Sequence, residues 1–253
     1  MRPDAKKKIA TVTPKSGPNV VLIGAVIAVV VVLAVVVAIV IGNNSKAGSS
    51  TAVAQTVPAG VVGGTGGGIL VSPATTTGTA PAKSTAPTLD LFEDFQCPTC
   101  GQLEKAMGAQ MASLAKAGEV KLVVHTLSFL DDNLKNDSSK RSANAVACAA
   151  DAGKFLQYHA AVFAAQPAKE GEGYTDAQLT QFATTAGIAG PALATWQKCT
   201  TSGQHTQYVA DVATAAAKAG VNGTPTVKLN DKDITKTLTT ADALAAQVRA
   251  AAK

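Results

Sequence analysis

The order of elements over residues 88–253 predicts an α/β domain with an all-helical insertion at about 139–219. Three observations carry this. The strand-like run Leu89-Asp90-Leu91-Phe92-Glu93-Asp94-Phe95 leads directly into a helix. A second strand candidate, Glu119-Val120-Lys121-Leu122-Val123-Val124, follows the stop at Gly118. Strand character then disappears until Thr226-Val227-Lys228-Leu229. Ahead of this domain the sequence predicts a basic cytoplasmic tail (1–19), one transmembrane helix (20–41) and a disordered tether (42–87).

In the first helix, read over residues 99–116, Leu103, Met107, Met111 and Leu114 recur at spacings of four and three and so face the core. Within the insertion, one helix runs through Val146 and Cys148 to Ala152, and a second carries Phe155, Tyr158, Val162 and Phe163. A third opens at Thr175-Asp176-Ala177-Gln178, where a threonine three residues before a glutamine forms a capping box, and stops near Gly187. A fourth starts around Pro191, holds Trp196 and Cys199 and ends by Gly203; a fifth continues through Val209 and Val212 to Gly220. After the last strand come a turn at Asn230-Asp231-Lys232 and an alanine-rich helix starting near Thr240. The repeated alanines predict close helix packing, and no sustained period marks an internal repeat.

Residues 20–41 carry no charge and, at about 1.5 Å per residue, reach roughly 30 Å, enough to cross a hydrocarbon core. Arg2, Lys6, Lys7, Lys8 and Lys15 precede them against Asp4 alone, which puts the N-terminus in the cytoplasm and the rest outside. Ala52-Val53-Ala54 imitates a signal-peptidase site, but the apolar run exceeds the usual length of about 7–15 residues, so an uncleaved anchor is read. The tether, rich in Gly, Ser, Thr, Ala and Pro with Gly63-Gly64-Thr65-Gly66-Gly67-Gly68 at its centre, lacks the apolar content to fold. The net charge of +5 belongs to this N-terminal part, which leaves the folded domain near neutrality. A basic groove for nucleic acid is thereby excluded.

Cys97-Pro98-Thr99-Cys100 falls at the junction of the first strand and helix. Two thiols at this spacing can close a disulfide, and Pro98 suits a first helical turn, where its missing N–H costs nothing. Cys97 lies at the positive end of the helix, which stabilises a thiolate; Cys100 is one turn inward. Cys97 is thus the attacking sulfur and Cys100 the resolving one. A CxxC pair is also half of a zinc site, but no second CxxC exists, and His125, His159 and His205 show no ligand spacing with Cys148 or Cys199. No metal and no cofactor is expected. The histidines receive no catalytic role, with His159 read as packed or solvated on its helix and His205 on a surface face.

Glu93-Asp94-Phe95-Gln96-Cys97-Pro98-Thr99-Cys100 resembles the active-site turn of DsbA-like thiol–disulfide oxidoreductases. Gly220-Val221-Asn222-Gly223-Thr224-Pro225-Thr226 resembles their second signature, a turn with a cis proline. The resemblance spans roughly 89–253 and implies a thioredoxin fold with a helical domain inserted. It also implies that a cis Pro225 brings the Thr224 backbone beside Cys97, where an extended client would pair. Cys148 and Cys199 resemble the additional cysteine pair of some members, which implies a structural disulfide between two helices; closing that loop is worth roughly 4 kcal/mol in the chain-entropy model. A second redox pair is the alternative reading of these two cysteines.

The chain departs from the strongest oxidants of the family in having Thr99 where they carry a histidine, so no positive charge sits between the cysteines. Glu93 and Asp94 add negative charge, or one of them serves as a buried proton acceptor for Cys100. A milder oxidant is expected, with a Cys97 pKa not below about 4. The leading functional reading is a tethered oxidase of exported client proteins, with a quinone-linked integral membrane partner as reoxidase. A reductase or isomerase on the same site is the alternative. A non-enzymatic module holding copper on Cys97 and Cys100 is a third reading, from another class.

Overall fold

The computed structural model describes residues 55–71 and 85–252. The expected tail and membrane span lie outside the described residues; among those described, no helix is long and apolar enough to cross a membrane. Among the described residues the sheet has five strands, β1 (Ile69–Val71), β2 (Thr88–Glu93), β3 (Lys121–Thr126), β4 (Thr226–Leu229) and β5 (Lys232–Asp233), in the order β1-β3-β2-β4-β5. β2 and β3 are parallel; the other neighbours are antiparallel. β2 is the central strand, and Leu89, Leu91 and Phe92 are buried along it.

β2 runs into α1 (Pro98–Leu103), a π-helical stretch (Glu104–Gly108) and α2 (Ala109–Lys116), together the single helix expected from the sequence. Met107, Met111 and Leu114 face the core as their spacing predicts, and Leu103 packs at its edge. Where the strand returns as β3, α3 (Leu130–Leu134) leads into the insertion: α4 (Ser138–Asp151), α5 (Phe155–Ala164), α6 (Asp176–Thr185), α7 (Gly190–Ser202) and α8 (Thr206–Lys218). α4 is its axis. The run from Ala143 to Ala150 is buried on almost every side, because alanine and valine there let neighbouring helices approach closely. A Cys148–Cys199 disulfide joins α4 to α7, and Trp196 donates its indole N–H to the Ala145 carbonyl at 3.0 Å. The predicted capping box is present, with Thr175 accepting from the Gln178 amide. Asn230 and Asp231 take positive φ angles of 47° and 65° in the turn between β4 and β5, and α9 (Ala241–Ala251) is capped by Thr240.

Two expectations need correction. Part of the tether is ordered: Ile69, Leu70 and Val71 pair with Val124, Val123 and Leu122 as an edge strand. Its glycines are there for close approach. A Cβ on Gly68 would meet Val123 Cγ1 at 2.6 Å and the Val124 carbonyl at 2.8 Å, and one on Gly66 would meet Ala215 and the Asp211 carbonyl at 2.8 Å. The composition suggested flexibility, whereas the missing side chains let this segment lie against β3 and α8. Residues 72–84 of the tether lie outside the described residues.

His205 is the second correction. It is fully buried, not on a surface face. Its Nδ1 lies 2.7 Å from the Thr56 carbonyl and its Nε2 lies 2.8 Å from Asp151. Both partners accept, so both ring nitrogens must donate, which only the imidazolium can do. Burial opposes that charge, but the bonds to Asp151 and Thr56 outweigh it and raise the pKa. The same Asp151 accepts from the Ala59 amide at 2.8 Å. This buried cation joins the bonds of Gln55 and Thr56 to Gly203, Gln204, Thr206 and Gln207 in fastening residues 55–60 to the insertion.

A His with a raised folded pKa contributes stability that is fully present below its unfolded value and is lost as pH rises through the folded value. Wild type should therefore lose stability relative to His205→Gln as pH climbs past the ordinary histidine range, with amide exchange at residues 56–60 quickening in step. Equal pH profiles for the two proteins, by denaturant unfolding, would refute the contribution of a charged His205.

Candidate active site

Cys97 is the N-cap of α1 in an extended conformation (φ −76°, ψ 116°) with Pro98 following at the first helical position. Pro98 and Thr99 are exposed, while Cys97 and Cys100 are 7% and 0% exposed. The β2–β4 register sets Thr226 opposite Phe92. The preceding Thr224–Pro225 peptide bond is cis, and Cys97 Sγ lies 3.4 Å from the Thr224 carbonyl. The sequence-predicted set of Cys97, Pro98, Thr99, Cys100, Thr224 and Pro225 is thus brought together at one end of the sheet. Cys148 and Cys199 lie apart from it, in the insertion.

The two thiols sit in opposite electrostatic settings. Cys97 is lowered to about 5, first by the hydrogen bond from Cys100, then by Thr224 and the backbone amides of Cys100 and Thr99, with burial working against them. This lies above the bound of about 4 set by the lack of a histidine at position 99. Cys100 is driven far upward by burial, then by its bond to Cys97 and the charges of Glu93 and Cys97. One sulfur is therefore held as a thiolate at neutral pH and the other as a thiol. Such a pair can attack a disulfide, or, once oxidised, accept attack at Cys97, the less deeply buried sulfur.

Glu93 and Asp94 are both buried but sit in different settings. Asp94, 0% exposed, accepts from the Ser139 hydroxyl at 2.6 Å, the Gln96 amide at 2.9 Å and the Leu130 amide at 3.3 Å. Burial pushes it up to about 6 despite these donors. Gln96 extends the network to Asp131, Asn136 and Ser139. Asp94 is thus a structural tie between the active-site turn and the start of the insertion. Glu93, 1% exposed, is raised well above the ordinary range by burial and then by the charge on Cys97. It lies within electrostatic reach of both thiols.

Three residues of the site were not found from the sequence. Gln166, just beyond α5, donates through Nε2 to the carbonyls of Phe95 and Cys97, both at 2.9 Å. Its Oε1 occupies the space that a side chain on Gly101 would need, which explains the glycine after Cys100. His159 is packed, as one of its two readings had it, among Phe95, Phe155 and Phe163, but it also meets Glu93 Oε2 at 2.9 Å. Glu104 stands on the helical face of Cys97 and Cys100, a spacing that offered a usable signal. Gln166 and His159 come from the insertion and carry no local signal. Glu93, Glu104 and His159 offer potential ligand atoms within 4.8 Å of one another. Burial raises the pKa of both carboxyl groups, and the charge of Glu93 adds to the rise at Glu104.

The thioredoxin family model matches residues 75–249. The reduced form of a disulfide bond oxidoreductase, DsbG, from Mycobacterium tuberculosis is 30% identical over 74% of this chain and 88% of its own, with a TM-score of 0.59. DsbA from the same organism, in its oxidised form, is 29% identical over 73% and 92% of the two chains, with a TM-score of 0.59. The fold is shared with the thiol-disulfide oxidoreductase MdbA from Actinomyces oris, at 20% identity over 81% and 97% and a TM-score of 0.64. No curated protein matches the sequence. The chain belongs to the thioredoxin family, among its DsbA-like thiol–disulfide oxidoreductases.

Two outcomes follow from this geometry. Cys100→Ala removes the first cause of the low Cys97 pKa, so thiolate absorbance should show Cys97 titrating well above about 5; an unchanged midpoint would mean the backbone amides suffice. Gln166→Leu removes one of two donors from each of the Phe95 and Cys97 carbonyls, which keep the Tyr174 hydroxyl and the Gly101 amide, and the two hydrogen bonds lost should cost about 1–3 kcal/mol in denaturant unfolding. Gly101→Ala, which expels the same amide, should match it.

Proposed function

We propose that the protein is a membrane-tethered, extracytoplasmic oxidase that passes its Cys97–Cys100 disulfide to cysteine pairs of exported proteins. The observation carrying this reading is the contrast between the two thiols. Oxidising power grows with the stability of the reduced form, and a Cys97 thiolate with a pKa of about 5 is stabilised at neutral pH. The anchor reading draws on the sequence: the charge-free run at 20–41, the basic residues before it, and a structural disulfide between Cys148 and Cys199 that suits an oxidising compartment.

A client thiolate attacks Cys97 Sγ of the oxidised enzyme. The Cys97–Cys100 bond breaks, Cys100 leaves with the electron pair, and a mixed disulfide forms on Cys97. The client's second thiolate then attacks its own first sulfur and expels Cys97 as a thiolate. Two electrons have moved to the enzyme, and the client carries the new disulfide. Cys97 is a good leaving group because its thiolate is stable, whereas Cys100 needs a proton on departure. Glu93, favoured in its protonated form by burial and within electrostatic reach of Cys100, would supply one. Thr224, in the cis turn 3.4 Å from Cys97 Sγ, offers backbone for an extended client segment. Reoxidation falls to a quinone-linked integral membrane partner, and the tether raises the local concentration for that encounter.

The reduction potential of the domain against glutathione tests the direction. A value of about −120 to −180 mV, with Cys97→Ser abolishing exchange and Cys100→Ser trapping mixed disulfides, is the expected result. A value near about −270 mV would replace the oxidase with a reductase.

A further inference from the structure

Two clusters of potential metal-ligand atoms lie among the described residues. Cys148, Cys199 and His205 form the first, and it has no donor to give. Its sulfurs are bonded to each other, and both ring nitrogens of His205 are engaged, with Thr56 and Asp151. Glu93, Glu104 and His159 form the second, with one ligand atom from each within 4.8 Å of the others. They come from the end of β2, the π-helical stretch and α5.

This second cluster has bare donor atoms. The His159 ring is 2% exposed, and its Nε2 lies 2.9 Å from Glu93 Oε2. A ring that donates through Nε2 keeps a lone pair on Nδ1, and Nδ1 is buried with no hydrogen-bond partner. Buried polar atoms ordinarily find one. Glu104 Oε2 stands 3.8 Å from Nδ1, too far for a hydrogen bond. A single ion spans that gap. Zinc takes nitrogen at about 2.0–2.1 Å and carboxylate oxygen at about 2.0–2.2 Å, so two of its ligand atoms stand up to about 4 Å apart. Glu93 occupies the place behind the ring where a metal-binding histidine keeps a carboxylate, which fixes the tautomer and the ring orientation. Its second oxygen, Oε1, is also buried without a partner.

The pair is reached from solvent. The Glu104 side chain keeps 12% exposure, and Glu104 and His159 line a cleft of about 770 Å³ together with Gly101, Lys105 and Gly108. Glu104 opens the π-helical stretch, and its Oε2 rests 2.5 Å from the point where a Cβ on Gly108 would stand. The glycine is what lets the carboxylate lie there, and single π-turns recur at functional sites. An imidazole nitrogen beside carboxylates suits zinc and its neighbours, whereas calcium and magnesium take shells of oxygen.

We propose that His159 Nδ1 and Glu104 bind a divalent cation of the zinc class, with Glu93 holding the ring from behind and water from the cleft completing the shell. This goes beyond the exchange reading and uses neither thiol of the active site. The ion joins the active-site helix to α5 of the insertion, the two elements that carry its ligands. Because it binds the folded arrangement alone, it stabilises the fold by mass action.

The test uses the full chain, oxidised at Cys97–Cys100 so that no thiolate competes, titrated with Co2+ as an optical probe and then with Zn2+. One Co2+ per chain should bind with the weak visible bands of nitrogen and oxygen coordination and no thiolate charge-transfer absorption, and Zn2+ should displace it. Glu93→Ala, which removes only the carboxylate behind the ring, should weaken binding by about 10–100-fold, and His159→Phe and Glu104→Ala by at least as much. Zn2+ should raise the denaturant midpoint of wild type and leave that of the ligand variants where it is. Gly108→Ala, which displaces Glu104 and keeps every ligand group, should weaken binding too and carries the test if the other variants fail to fold. Wild type that binds neither ion, or folded variants that bind both as wild type does, would overturn the site.

Discussion

Everything in this molecule is arranged around where one negative charge is allowed to sit. At the junction of β2 and α1 there is room for a thiolate on Cys97, held by the Cys100 thiol and by amides at the start of the helix. There is no comparable place for it on Cys100, which is enclosed and lies near Glu93. The sequence spacing makes this possible because three residues is just under one helical turn. One sulfur is thereby left at the helix mouth while the other is carried inside. Had Cys100 been exposed, the two thiols would differ far less, and Cys97 would not stand out as the attacking sulfur.

Such a charge needs a rigid frame, and the frame comes from the insertion more than from the sheet. Gln166 grips the carbonyls of Phe95 and Cys97, and Asp94 gathers donors from Ser139, Gln96 and Leu130. These contacts run from residues far along the chain to a turn of four residues. Each buried carbonyl and carboxylate there would cost about 1–3 kcal/mol if left without a partner. The insertion therefore serves catalysis by satisfying the backbone of the active-site turn, and its own rigidity, from the packed alanines of α4 and the Cys148–Cys199 link, is passed on to Cys97.

How much of this the sequence shows depends on the range of the interaction. Features that are local in the chain were legible: the CxxC at a strand–helix junction, the Thr175 capping box, the core face of Met107, Met111 and Leu114, and the strand Thr226–Leu229. Features that depend on two distant segments meeting were not. Nothing near Gln166 or His159 announces that either reaches the active-site turn, and His205 reads as polar and exposed until Thr56 and Asp151 arrive to hold it. The glycine-rich segment misled for a related reason. Composition records that side chains are missing, but only the fold shows whether they are missing for freedom or for contact, and at Gly66 and Gly68 it is contact.

The remaining step concerns the two acids beside Cys97. Adding negative charge near a thiolate destabilises it, so Glu93 and Asp94 look out of place in a site meant to hold one. The difficulty dissolves once their protonation is considered. Asp94 has its charge spread over three donors that also fasten the insertion. Glu93 is raised well above the ordinary carboxylate range by burial and lies 2.9 Å from His159 Nε2, so the charge that could oppose Cys97 is largely suppressed. The same burial that favours protonated Glu93 takes its charge away from the neighbourhood of both thiols. A carboxyl there is therefore compatible with a stable thiolate only as long as it is kept in the dark, and the aromatic wall of Phe95, Phe155 and Phe163 around His159 is what keeps it so.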